Sequence, residues 1–183
     1  MPPDTSGVQA FWDQLEAMVP QIGTPKTFDR YDFLTREGQV EHHIYFIESG
    51  AVRATYLTEV EEHTIRFGYH GSFINAVDSW LSEQPSQFYL QAIRKTKTQV
   101  IKRADFYEFV HAQPERQLQY TRFLELSFVQ AMEREIDLLT FSPMERLQRL
   151  QKRSPQVFQE IPAKYIAAYL RMKPETLSRI IKS

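Results

Sequence analysis

The chain has no cysteine among its 183 residues. That excludes a disulfide framework, a thiolate zinc site and a cysteine-held iron–sulfur cluster. Glycine is scarce as well, at six residues. No G-x-S-x-G, no H-E-x-x-H and no phosphate-cradling glycine loop occurs, so the motifs point away from an enzyme. No apolar run approaches the ~20 residues that span a bilayer. Residues 1–5 (MPPDT) lack the basic start and apolar stretch of a secretory leader. The expectation is a cytoplasmic protein with no membrane partner. His42, His43, His63, His70 and His111 include no pair at helical i, i+4 spacing, and strand alternation sends His42 and His43 to opposite faces. Neither a metal nor a cofactor is expected. Glu59, Glu61 and Glu62 read as a solvated hairpin tip.

What is present is a folded core and a hidden charge asymmetry. Hydrophobic residues make up 42% and aromatics 13%, against a net charge of only −1, a composition that supports burial rather than disorder. From residue 143 to 183 there are nine basic side chains (Arg146, Arg149, Lys152, Arg153, Lys164, Arg171, Lys173, Arg179, Lys182) against three acidic ones, net +6, which leaves −7 on residues 1–142. An acidic body with a basic end suggests that the end faces nucleic acid.

Hydrophobic spacing supplies the elements. Val8, Phe11, Trp12, Leu15, Met18 and Val19 predict an amphipathic helix over 7–20, closed by Pro20. Between about residues 26 and 102 the period becomes two. Strands are predicted at 44–47, 51–58, 64–69, 87–94 and 98–102, with Gly50 supplying a positive φ between the first two. Short strands in this number predict a sandwich or roll. Residues 78–83 read as a short helical turn within it. Helices follow at 104–112 and 114–140. The second carries Leu118, Phe123, Leu124, Phe128, Val129, Met132, Ile136 and Leu139 over more than one face, wider than a single core contact needs. Either it is buried in a monomer or it packs on the roll and on a partner helix. Ser142-Pro143-Met144-Glu145 has the form of a capping box, which ends the long helix near Phe141 and opens a helix to about Arg153. The domain boundary falls there, giving 1–141 and 142–183.

The last 23 residues carry the most functional information. Pro162 opens a helix with Ile166, Ala167 and Leu170 inward, Ala167 and Ala168 being small enough for a close crossing. Pro174 forces a break and starts a second helix that turns Leu177, Ile180 and Ile181 inward and Glu175, Thr176, Ser178, Arg179 and Lys182 outward. This is the spacing of a helix-turn-helix, whose second helix enters the major groove. Glu175, Thr176 and Arg179 are the candidates for base edges, and Lys164, Lys173, Ser178 and Lys182 for phosphates.

Strand–turn–strand residues Ile44-Tyr-Phe-Ile-Glu-Ser-Gly-Ala-Val-Arg53, the segments Phe67–Phe73 and Pro85–Ala92, and the terminal helices Ile161–Leu170 and Pro174–Ile180 together resemble the Crp/Fnr family of bacterial transcription regulators, over roughly residues 20–183. The flavour is that of its Bacteroidetes-type members, in which the wing is very short. The resemblance implies an α+β fold: an N-terminal antiparallel β-roll (jelly-roll-like) of the cyclic nucleotide-binding type, a long central dimerisation helix, and a C-terminal helix-turn-helix with a minimal wing. It implies double-stranded DNA as partner, a homodimer through helix 114–140, and a small-molecule effector that the residues do not name. A module of the same fold that senses a ligand or binds a protein, without binding DNA, is the alternative. Its support is Arg171 at a turn position where the family has Gly, and Lys173 where the family has a Ser or Thr cap.

The phosphate-binding turn of nucleotide-binding members falls here at Asn75-Ala76 and Ser86-Gln87, without the family's Gly, Glu or Arg. Those four residues mark a degenerate ligand pocket. Arg53, Arg66 and Arg94 are the guanidiniums on nearby strands, read as solvent-facing. Without a cation in the turn, a cyclic phosphate lacks its strongest partner. Titration calorimetry with micromolar cyclic AMP is accordingly expected to give no saturable heat.

Overall fold

The computed structural model describes residues 6–139 and 142–182. In chain order these form α1 (Ser6–Ile22), β1 (Gly23–Phe28), β2 (Phe33–Thr35), β3 (His43–Ser49), β4 (Ala51–Leu57), β5 (Glu62–Tyr69), β6 (Phe73–Ile74), α2 (Val77–Ser82), β7 (Phe88–Ala92), β8 (Thr96–Lys102), α3 (Arg103–His111), α4 (Pro114–Leu139), α5 (Pro143–Arg153), α6 (Val157–Glu160), α7 (Ala163–Tyr169) and α8 (Pro174–Lys182). The expected end of the long helix at Thr140–Phe141, and the residues read for a leader, lie outside the described residues. Among the described residues no strand follows β8.

The strands make two four-stranded antiparallel sheets, ordered β1-β8-β3-β6 and β2-β7-β4-β5. Alternation directs Phe28, Tyr45, Ile47 and Ile74 from the first sheet onto Val52, Ala54, Leu90 and Ala92 from the second, and these fill the interior. A recess of about 290 Å³ at one end is lined by Lys26, Thr35, Glu41, His43 and Tyr45 among others. The opposite face of β3 and β8 presents Ile44, Phe46 and Ile101 to Phe11 and Leu15 of α1 and to Phe106, Phe109 and Val110 of α3. Strand β3 is thus covered on both sides, which is why Ile44–Ile47 is an unbroken apolar run.

Helix α1 continues two residues past Pro20, to Ile22, where a sequence reading stops it. Pro20 forgoes the bond that an N–H there would make to the turn before it, and with only two residues left the backbone keeps helical geometry to Ile22 before β1 begins. Helix α4 packs through Tyr120 and Phe123 against α1 and α3, with Trp12 edge-on to Phe123 at 4.7 Å between centroids, and buries Leu126 on the same side of the helix. Its remaining surface carries Leu118, Phe128, Val129, Met132, Ile136 and Leu139, all exposed, with Leu118, Phe128 and Leu139 at 71%, 68% and 70%. The two apolar faces expected of this helix are both present, one covered and one open.

Gly50 turns β3 into β4 at φ 99°. A Cβ there would lie 2.5 Å from Thr96 Oγ1 and 2.6 Å from the Lys95 carbonyl. Gly50→Ala combines a left-handed backbone with a clash against main chain and is expected to cost about 3 kcal/mol of unfolding free energy, read from the denaturant midpoint.

Candidate functional site

The chain reverses between α7 and α8 through a helix stop that satisfies its own carbonyls. The Met172 N–H donates to the Ala167 carbonyl at 3.0 Å and the Arg171 N–H to the Ala168 carbonyl at 3.1 Å, the bond pair of a Schellman motif. Arg171 sits at its left-handed position with φ 54°. A non-glycine residue pays about 1–2 kcal/mol for that conformation, and the turn forms with it nonetheless. Helix α8 then begins with Pro174 at its first position, the Lys173 carbonyl accepting from the N–H groups of Thr176 (3.0 Å) and Leu177 (3.2 Å).

Leu177, 1% exposed, anchors α8 in a core with Leu147 and Leu150 of α5 and with Ile166, Ala167 and Leu170. Ile180 is half-buried beside it. Ile181, expected inward, is 56% exposed. At 100° per residue the buried seam is centred between Leu177 and Ile180, and Ile181 falls on its flank. Thr176 falls on the other flank and is half-buried rather than fully outward. Pro174, Glu175, Ser178, Arg179 and Lys182 line one open face. The last four stand at i, i+3, i+4 and i+7, so the structure brings them together as a single stripe. Lys173 is exposed at the start of that face, and Lys164 is exposed on α7, its ammonium 4.7 Å from the centre of the Tyr165 ring.

Not all the basic residues of the C-terminal segment face outward. Asp137 of α4, 3% exposed, accepts from Arg149 Nε through Oδ1 and from Arg153 Nη1 through Oδ2, so both guanidiniums of α5 are held by the long helix. Arg53 and Arg94, read as solvent-facing, are committed too. The Arg53 guanidinium pairs with Glu62 Oε2 at 2.8 Å and lies 5.9 Å from the Tyr89 ring centre and 5.2 Å from that of Tyr165. Burial first, then Glu62, push the Tyr89 hydroxyl up to about 12. Arg94 Nη2 donates to Glu160 Oε2 at 2.6 Å. Arg134 lies over the Tyr169 ring at 4.8 Å, and Phe67 meets Tyr169 at 5.5 Å. Helices α6 and α7 therefore rest on β4, β5 and the β7–β8 turn, with α5 and α8 packed behind them. Arg66, on β5, has exposed surface, yet the packing around its guanidinium, near Tyr169, lowers its pKa through desolvation. Sequence reasoning missed Asp137, Glu160, Tyr165 and Tyr169. The one signal was an aspartate inside an apolar helix with Arg149 and Arg153 at i, i+4 downstream.

Asn75, Ala76, Ser86 and Gln87 lie around α2, and the structure adds two carboxylates that sequence reasoning did not place there. The Ala76 N–H donates to Glu41 Oε2 at 3.3 Å. Glu41, 2% exposed, also accepts from Thr35 Oγ1 (2.6 Å) and the His43 N–H (3.0 Å), while its own N–H donates to Ser79 Oγ (2.8 Å). Asp78 Oδ1 is 2.9 Å from Ser86 Oγ, and Asp78 Oδ2 accepts from the Gln87 N–H at 2.8 Å. Asn75 is half-buried. Among the described residues no three metal-ligating side chains cluster, and no helix is long and apolar enough to cross a membrane.

No curated protein sequence matches the chain. Residues 25–113 match the family model of the cyclic nucleotide-binding domain. Among solved structures the chain is similar to FixK2 from Bradyrhizobium japonicum, at 19% identity and a TM-score of 0.71 over 88% of this chain and 83% of that one. It is similar to the catabolite activator protein of Thermus thermophilus at 18% identity and a TM-score of 0.58, covering 93% and 81%. A transcriptional regulator from Thermotoga maritima matches at 16% identity and a TM-score of 0.56, covering 70% and 98%. At these identities the likeness is one of fold: an antiparallel roll of the cyclic nucleotide-binding type, a long helix, and a set of short helices in the same order.

Proposed function

We propose that the chain is a DNA-binding transcription regulator of Crp/Fnr type, cytoplasmic, acting as a homodimer through α4, with residues 1–141 as the roll and long helix and 142–183 as the DNA-binding domain. The observation that carries this reading is the state of α8: one side anchored by Leu177, the other a bare stripe of Glu175, Ser178, Arg179 and Lys182. The regulators whose fold it shares give the same direction, and among the described residues only the short α6 and no strand stands between α5 and α7, which agrees with the very short wing before the helix-turn-helix in Bacteroidetes-type members. Arg179 is assigned to a guanine edge, with Glu175 and Thr176 beside it. Lys164, Lys173, Ser178 and Lys182 are assigned to phosphates. Two-fold symmetry then requires a near-palindromic site with half-sites about one DNA turn apart. The alternative, a sensing module that no longer binds DNA, rested on Arg171 and Lys173. A helix stop that closes with Arg171 in place weakens it.

Mobility shifts on the upstream region of the chain's own gene, repeated across salt concentrations, test the reading. Arg179→Ala is expected to cost about 1–3 kcal/mol and to relax preference at one base pair, whereas Lys182→Ala weakens all sequences alike and lowers the salt slope by about one. An equal loss on every sequence for Arg179→Ala contradicts the assignment. Phe128→Glu, at the centre of the open face of α4, is expected to give monomers in sedimentation and to abolish the shift. A dimer that survives it places the interface elsewhere.

A further inference from the structure

One end of the roll opens in a recess of about 290 Å³, bounded by Lys26 of β1, Leu34 of β2, Glu41 just before β3, His43 and Tyr45 of β3, and Val100 of β8. Asn75, Ala76, Ser86 and Gln87 do not line it, so it is a separate place from the turn around α2. Its two opposite charges are not paired with each other. Glu41 is 2% exposed, and a carboxylate removed from water is ordinarily matched by a cation. Here every hydrogen-bond donor to it is neutral: the Thr35 hydroxyl and the Ala76 N–H on Oε2, and the His43 N–H on Oε1. Oε1, with a single donor, keeps room for another. The imidazole of His43 stands off at 3.9 Å. Burial, then the Glu41 charge, push the Tyr45 hydroxyl up, so that charge is felt across the recess. Lys26 rests its ammonium 4.8 Å from the centre of the Phe28 ring, and among the described residues no carboxylate pairs with it.

We propose that this recess binds a small zwitterion of the α-amino acid class with an apolar side chain. The ligand's ammonium meets Glu41 Oε1, its carboxylate meets Lys26, and its side chain lies on Leu34 and Val100. An acid without the ammonium would face the Glu41 charge. An amine without the carboxylate would leave Lys26 unmatched. The volume is at the low end for ligand sites, which favours a molecule the size of one amino acid over a nucleotide or a peptide. Because Glu41 also takes the Ala76 N–H, an occupant is tied through one carboxylate to the start of α2. The inference needs only the geometry of this recess and stands whether or not α8 binds DNA.

The test is thermal unfolding of the full chain, at constant ionic strength, with about 20 mM L-valine, L-alanine or L-leucine. The two halves of valine, 2-methylpropylamine and 3-methylbutanoate, are run beside them. L-Valine is expected to raise the melting temperature by about 3–5 °C, as a site of millimolar affinity would. Each half should raise it by less than about 1 °C at the same concentration. Lys26→Met, at an exposed side chain, should lose the valine response. Glu41→Gln should lose it too. That change also disturbs three hydrogen bonds, so Lys26→Met decides if Glu41→Gln fails to fold. A wild-type chain that responds to none of the three amino acids overturns the proposal. So does a half that stabilises as much as valine, or a valine response left intact in Lys26→Met.

Discussion

The arrangement of the C-terminal helices depends on one buried carboxylate. Asp137 sits at 3% exposure near the end of α4, where an unpaired charge would not be tolerated. It is matched by two guanidiniums, Arg149 and Arg153, one turn apart on α5. One anion satisfied by two cations from a single helix fixes both the position and the rotation of that helix against the long one. Everything that follows α5 inherits the setting: α7 lies on β5, and α8 packs back on α5 through Leu177. The direction in which the outer stripe of α8 points is set by a contact some forty residues earlier in the chain.

A second constraint comes from the shared sheet. Because β3 and β8 are packed on both faces, the interior of the roll and the helical layer of α1, α3 and α4 are two cores that meet across one sheet. A third core joins Ala51 and Ile93, at the end of the roll, to Leu147, Ile161, Tyr165 and Leu170. The roll therefore touches the dimerisation candidate α4 directly and meets the recognition candidate α8 through α7, so both are tied to it by packed side chains rather than by a linker.

Much of this was legible in the amino-acid sequence, and the rest was not for identifiable reasons. Strands β3, β4, β5, β7 and β8 announce themselves through alternation or an apolar run, and α4, α5, α7 and α8 through three- and four-residue spacing with proline or serine at their starts. Strands β1, β2 and β6 are too short or too polar to show a period; β1 has Thr24, Pro25 and Lys26 on its exposed stretch. On α8, the outward stripe was readable except at Ile181 and Thr176, where a few tens of degrees of helix rotation decide burial and no local pattern gives them. Asn75-Ala76 and Ser86-Gln87 stand at the two ends of α2, and the partners Glu41 and Asp78 were not legible beside them. Glu41 lies 35 residues before Ala76, and pairing at that separation is a property of the fold. Arg53 misled for the same reason: alternation puts it on the outer face of β4, and what covers that face is a helix far downstream; Arg94 lies in the turn after β7, and its partner Glu160 is 66 residues on.

The wedge of Arg53 between Tyr89 and Tyr165 separates two kinds of electrostatics in one molecule. The stripe on α8 faces water, and its field fades as mobile ions accumulate. A half-buried guanidinium seated on two aromatic rings is shielded from those ions by the rings themselves. Brine strong enough to silence the field of α8 would leave α6 and α7 seated on the roll, so a washed molecule returns to dilute buffer with α8 already aimed.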